Sequence, residues 1–217
     1  MNLSVLITRP KHDDALTYLY YYSGKVKEFA NKKNIKVFLC DENDVTKNGI
    51  ESRIRKLSPN FIFLNGHGER DFIAGHKNEV LIKVGENEEI LKNSIAYIRS
   101  CNTASELGPK AIESGAKGFI GYEQPFIFPQ DTNKITKPLE DNVAKPTLES
   151  SNIIPISIIN GDNLKGACEK SIETTEKWLN KIRSSEFPFH YDLMIMSLFW
   201  NMSVLKRFGD DDITINS

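Results

Sequence analysis

The sequence predicts an α/β fold: a doubly wound, mainly parallel six-stranded sheet with helices on both faces. Three observations predict it. Short, almost wholly apolar runs alternate with longer stretches of helical spacing, as in successive βα units. The run Phe61 to Leu64 has no polar face, which suits a strand covered on both sides. Residues able to do chemistry sit where such runs end, and open parallel sheets bind ligands at the carboxyl ends of their strands.

Asn2 to Thr8 (NLSVLIT) is a β-branched run and the expected first strand. Asp14 to about Lys33 follows with aromatic and aliphatic residues at helical spacing. Ile35 to Cys40 is a second strand, Val45 to Leu57 a second helix, and Asn60 to Asn65 a third strand. Glu79 to Val84 reads as a strand within an irregular section, and Asn87 to Lys92 as a short helix. Ser94 to Ser100 is the next main strand, with Cys101 directly after it. A helix ending near Ser114-Gly115, where glycine suits a left-handed cap, leads into a strand at Gly118 to Tyr122.

Glu123 to Lys137 has prolines and no period, so it is expected to be a long loop, and such loops are often functional. A helix interrupted by Pro146, a sixth strand at Ile153 to Ile159 and helices at Asn163 to Arg183 and Tyr191 to Arg207 complete the pattern. Asp210 to Asp212 reads as a solvated tail. No repeat or composition shift marks a second domain, so residues 1–217 are read as one.

At 217 residues and 40% hydrophobic content, the chain supports one sizeable core. With Lys plus Arg at 28 against Asp plus Glu at 29, a net charge of -1 supplies no field for capturing nucleic acid. The longest apolar stretches, such as Leu193 to Trp200, fall below the ~20 residues that span a bilayer. No basic flank precedes the first apolar run, so a cytoplasmic location and no membrane partner are expected. Cys40, Cys101 and Cys168 are odd in number, widely separated and without a C-x-x-C pair. This favours a reducing compartment and offers no recognisable zinc set; neither metal nor cofactor is expected.

The chemistry converges on two strand tips. Asn65-Gly66-His67-Gly68 places an imidazole between glycines, where backbone can approach a substrate closely. Arg99-Ser100-Cys101-Asn102 places a thiol at the next main tip, before a helix whose amino end would favour an anion. Consecutive strands are neighbours about two-thirds of the time. Neighbours lie about 4.8 Å apart, so both side chains can reach one carbonyl. A thiolate nucleophile with a histidine to hold and return the proton is the chemistry that pairing serves. The N–H groups of Gly68 and Cys101 are the candidates for stabilising the oxyanion. Cys40 and Cys168 are assigned to packing, and His12, His76 and His190 to structural or surface roles. The dinucleotide fingerprint lacks its third glycine, where Asp71 stands, and no G-x-S-x-G elbow or P-loop occurs.

At these residues the chain resembles the caspase-like (clan CD) cysteine peptidases, in its CHAT/gingipain-like branch. The matching residues are His67-Gly68 after FIFLN and Ser100-Cys101 after SIAYIR, followed by Leu107-Gly108, Gly115-Ala116 and Phe119-Ile120-Gly121. Asn102 departs from the residues that follow the nucleophile in caspases and metacaspases. The resemblance implies a caspase-like fold and a cysteine endopeptidase with His67 and Cys101 as its catalytic pair. It further implies a specific protein substrate, an activating or inhibiting protein partner, and a role in bacterial signalling or defence. By position within the family, Arg9 and Arg99 are expected to line the primary specificity pocket and so to favour Asp or Glu before the cleaved bond. Tyr122, Phe126 and Phe128 are the expected apolar wall for the substrate. The competing expectation is a catalytically inactive caspase-like module that binds a protein partner through its surface. A receiver-type signalling domain would need an acidic cluster or phosphate loop at the first strand tip, and Thr8-Arg9-Pro10 supplies neither.

Overall fold

The computed structural model describes residues 3–184 and 191–217. Asn2 and His190 lie outside the described residues. The strands are β1 (Ser4–Arg9), β2 (Lys36–Asp41), β3 (Phe61–Asn65), the short β4 (His67–Gly68), β5 (Phe72–Ala74) and β6 (Val80–Lys83), with apolar runs forming β1, β2, β3 and β6. They are followed by β7 (Ile95–Arg99), β8 (Gly118–Tyr122) and β9 (Leu205–Gly209). The helices are α1 (Asp14–Lys32), α2 (Lys47–Leu57), α3 (Leu107–Glu113), α4 (Lys145–Asn160), α5 (Leu164–Ser184) and α6 (Tyr191–Val204).

Among the described residues, the main sheet has six strands in the order β2-β1-β3-β7-β8-β9. All its pairings are parallel except β8 with β9. The chain therefore winds outward from β1 in both directions, and the carboxyl ends of β1, β3 and β7 come to one edge. A small antiparallel sheet of β4, β5 and β6 branches from the tip of β3. No helix among the described residues is long and apolar enough to cross a membrane.

Strand alternation divides the core into two layers. Val5, Ile7, Phe61, Phe63 and Tyr97 face α1, α4 and α5, while Leu6, Ile62, Leu64, Ala96 and Ile98 face α2 and α3. Helix α1 turns Leu16, Leu19, Tyr22, Val26 and Ala30 inward at three- and four-residue spacing. Each large apolar side chain buried in this way contributes roughly 1.5–3 kcal/mol.

Two elements differ from expectation. Ile153 to Ile159 is not the sixth strand but the second half of α4, most of whose residues are buried. A helix enclosed on nearly all sides shows the same unbroken apolar run as a buried strand, so periodicity does not separate them. Pro155 inside the run was the available signal, because proline is excluded from central strands. The true sixth strand is β9, at the end of what reads as helix to Arg207. As an edge strand pairing on one side only, it carries Lys206 and Arg207 and has no strand-like apolar pattern. Asp210 to Asp212 is not a free tail: Asp211 pairs with Arg207 at 2.6 Å, Asp212 accepts from Asn163, and Ile215 beyond it is buried.

Candidate active site

The site begins at Asn65, the last residue of β3, which ties three strand tips together. Its amide Nδ2 donates to Thr8 O at 2.7 Å, and its Oδ1 accepts from Arg99 Nε at 2.9 Å. Asn65 also pairs in register with Arg99 across β3 and β7. His67 follows one tip and Cys101 the other, so the two lie on neighbouring strands at the same edge. Gly68 shows how closely the tips approach: a Cβ there would stand 2.7 Å from both Cys101 O and Ser100 Oγ. Only glycine fits this contact without moving backbone.

His67 and Cys101 line one cavity of about 40 Å³, with Arg99, Leu19, Phe126 and Phe128 among its other walls. That is room for roughly three waters, not for a substrate side chain. The thiol of Cys101 donates a long hydrogen bond of 3.9 Å to Phe126 O. Burial pushes the Cys101 thiol up, and the charge of Glu69 acts the same way. The backbone turns sharply at Asn102, whose φ of 61° is left-handed and tolerated by asparagine. Helix α3 starts only at Leu107, so its amino end does not act on Cys101 as the sequence suggested. The N–H of Cys101 has no protein partner among the described residues.

Asp13, not singled out as a site residue by its sequence context, completes the group. It is the N-cap of α1, with Oδ1 accepting from Leu16 N at 2.8 Å, and Oδ2 meets His67 Nε2 at 2.6 Å. Burial raises the Asp13 carboxyl, but the bonds from His67 and Leu16 and the neighbouring imidazoles outweigh it and hold it below its ordinary range. With Nε2 engaged by Asp13, Nδ1 is the ring nitrogen left without that partner. The signal available was the Asp13 cap ahead of an amphipathic run at a strand tip, which locates α1 but names no partner. His12 and His76, expected to be structural or surface residues, stand beside this pair, with the His12 ring 6.1 Å from His67 and 5.6 Å from His76.

The expected pocket residues divide. Phe126 and Phe128 do wall the cavity, held in a loop that Asn201 grips through both Ile127 N (3.0 Å) and Ile127 O (2.6 Å). Tyr122 instead packs in the core, its hydroxyl 3.1 Å from that of Tyr97. The two arginines do not converge. Arg9 forms a two-point ion pair with Asp41 on β2 and stacks over Tyr20, outside the cavity. Arg99 is fully buried, with Asn65 Oδ1, Ser151 Oγ, Asn152 Oδ1 and Leu19 O as acceptors and no carboxylate partner among the described residues. Burial pushes the Arg99 guanidinium down, although an arginine stays charged. Cys40 and Cys168 are buried in the core, and their thiols are pushed up by desolvation to about 11 and about 12.

No family model matches the chain. No curated protein matches its sequence either. Solved structures share its fold. The Arg-specific cysteine proteinase gingipain R aligns with a TM-score of 0.63 at 10% identity, over 98% of this chain and 47% of that one. The complex of Porphyromonas gingivalis RgpB pro- and mature domains aligns at 0.58 and 10% identity, over 98% and 48%. The Saccharomyces cerevisiae separase–securin complex aligns at 0.51 and 12% identity, over 95% of this chain and 12% of that one. The chain spans about half the length of the gingipain chains it matches.

Proposed function

We propose that this chain, which has the fold of the caspase-like (clan CD) cysteine peptidases, is itself a cysteine endopeptidase acting through Cys101, His67 and Asp13. One observation carries the reading: His67 is fixed by Asp13 through Nε2, and His67 and Cys101 line the same cavity. Asp13 holds the proton on Nε2, so Nδ1 presents a lone pair to accept the thiol proton. The thiolate then attacks the peptide carbonyl, and the N–H groups of Gly68 and Cys101 would donate to the oxyanion. His67 returns its proton to the leaving amine, and water hydrolyses the thioester through the same imidazole.

In the conformation described, burial favours the protonated thiol, which donates to Phe126 O. Binding of a peptide or partner that shifts the loop carrying Phe126 and Phe128 would uncover it. Arg99 supports a preference for Asp or Glu before the cleaved bond, because its charge is buried at the cavity wall with no carboxylate partner among the described residues, and movement of the loop carrying Phe126 and Phe128 would open room for that side chain. Arg9 has no part in that pocket, since Asp41 neutralises it.

The test is to incubate wild type and Cys101→Ala with the products of neighbouring genes, as expected for a peptidase of bacterial signalling or defence. A cleavage made by the wild type alone supports the proposal. Binding without cleavage, identical in both, would favour an inactive interaction module.

A further inference from the structure

The corner that orients His67 contains more ligating atoms than catalysis needs. One ligand atom from each of His12, Asp13 and His67 lies within 4.8 Å of the other two. His12 Nε2 is 3.8 Å from Asp13 Oδ2, and His67 Nε2 is 2.6 Å from it. A tetrahedral zinc, with bonds of about 2.0–2.1 Å, sets its ligands roughly 3.3–3.4 Å apart. The two observed separations to Asp13 bracket that value, and all three ligand atoms lie close enough for side-chain adjustment to bring them onto one ion. The side chains of Asp13 and His67 are 37% and 42% exposed, which leaves a route for an ion. A second observation points the same way. His76 Nδ1, on the ring packed against His12, is buried and has no hydrogen-bond partner among the described residues. Such an orphan marks a polar environment that the protein's own groups do not saturate.

We infer that His12, Asp13 and His67 form a site for Zn2+ or a similar divalent transition metal, and that the bound ion silences the peptidase. Two imidazoles and one carboxylate, with a fourth position open to solvent, suit Zn2+ by ligand type and geometry. The silencing half of the inference rests on the peptidase reading and follows from proton positions. Metal on His67 Nε2 displaces the proton held there, and the neutral ring then carries its proton on Nδ1. That nitrogen becomes a donor and no longer accepts the thiol proton. Binding at His12 Nε2 likewise moves that ring's proton to Nδ1 and releases the 3.2 Å contact from Lys77 N.

The metal-free chain is titrated with Co2+, whose absorption reports its ligands, and then with Zn2+ in competition. The expected result is one equivalent bound without a thiolate band, unchanged in Cys101→Ser and weakened more than roughly tenfold in His12→Gln. Peptide hydrolysis by wild type should fall on adding Zn2+ and return with a chelator. Measured against its own metal-free rate, His12→Gln should need at least tenfold more Zn2+ for the same loss. Absence of Co2+ uptake overturns the site, as does uptake that Cys101→Ser abolishes and His12→Gln spares. Peptidase activity in either case leaves the catalytic reading standing. Uptake lost in His12→Gln, with hydrolysis in wild type that Zn2+ does not slow, overturns the silencing. Uptake through His12 with no hydrolysis of any peptide supports the metal site and sinks the peptidase.

Discussion

Asp13 and His67, 54 positions apart, meet at 2.6 Å while the other carboxylate oxygen of Asp13 caps α1. One side chain thus fixes both where the helix starts and how the imidazole is turned.

Asp13→Asn should separate these roles. Asparagine caps as well as aspartate, so stability should change little, whereas Asp13→Ala should cost about 1 kcal/mol. Activity should fall in both, by as much as ~10⁴-fold in kcat for the amide, which no longer fixes the tautomer. Thermal melts beside kcat and KM test this; an Asp13→Asn enzyme with wild-type kcat would remove Asp13 from the mechanism.

Asn201→Ala should loosen the loop over Cys101. It deletes two hydrogen bonds to Ile127, worth about 1 kcal/mol each, so access to the thiol should rise by up to roughly 30-fold. The rate of Cys101 alkylation by iodoacetamide, read by mass spectrometry, is the measurement. An unchanged rate would mean that the loop does not gate the thiol.

Substrate preference should follow Arg99. In a panel of peptides bearing Asp, Glu, Leu, Lys or Arg before the cleaved bond, the acidic members should be cut fastest. Faster cutting after Arg would end the acidic-pocket idea. Arg99→Met should also destabilise the protein, because Asn65, Ser151 and Asn152 would lose a buried donor at about 1–3 kcal/mol for each group left unpaired.

Stability should decline at alkaline pH. Cys40 and Cys168 stay protonated in the fold up to about 11 and about 12, whereas an unfolded thiol ionises near ~8.5. The unfolded state therefore binds fewer protons above that value, so stability is intact below it and lost as pH rises toward the folded values. Urea unfolding between about pH 8.5 and about 9.5, before unfolded tyrosines ionise near ~10, should show the decline, and replacing both cysteines with alanine should flatten it there. Asp13 acts at the other end, its stabilisation present above the ordinary carboxylate range and lost as pH falls through its lowered value.

Much of the fold was legible because local pattern and global burial agree in β1, β3, β7 and β8, whose apolar bodies are buried on both faces. Pattern failed where they part: in α4, buried nearly all round, and in β9, paired on one edge. The placement of His67 and Cys101 at neighbouring tips was legible from strand order. The Asp13 contact was not, because nothing in the loop after β1 records which strand tip it folds over.

By itself, then, the sequence determined the parallel α/β scaffold and the positions of an imidazole and a thiol at strand ends, since both follow from the two-residue and 3.6-residue periods of apolar side chains. The tertiary structure alone decided that Asp13 turns His67, that Arg9 is neutralised by Asp41, and that Arg99 has neutral acceptors and no carboxylate beside it among the described residues. These are matters of charge pairing between distant segments. Pairing of that kind depends on separations of a few ångströms, which periodicity along a chain does not encode.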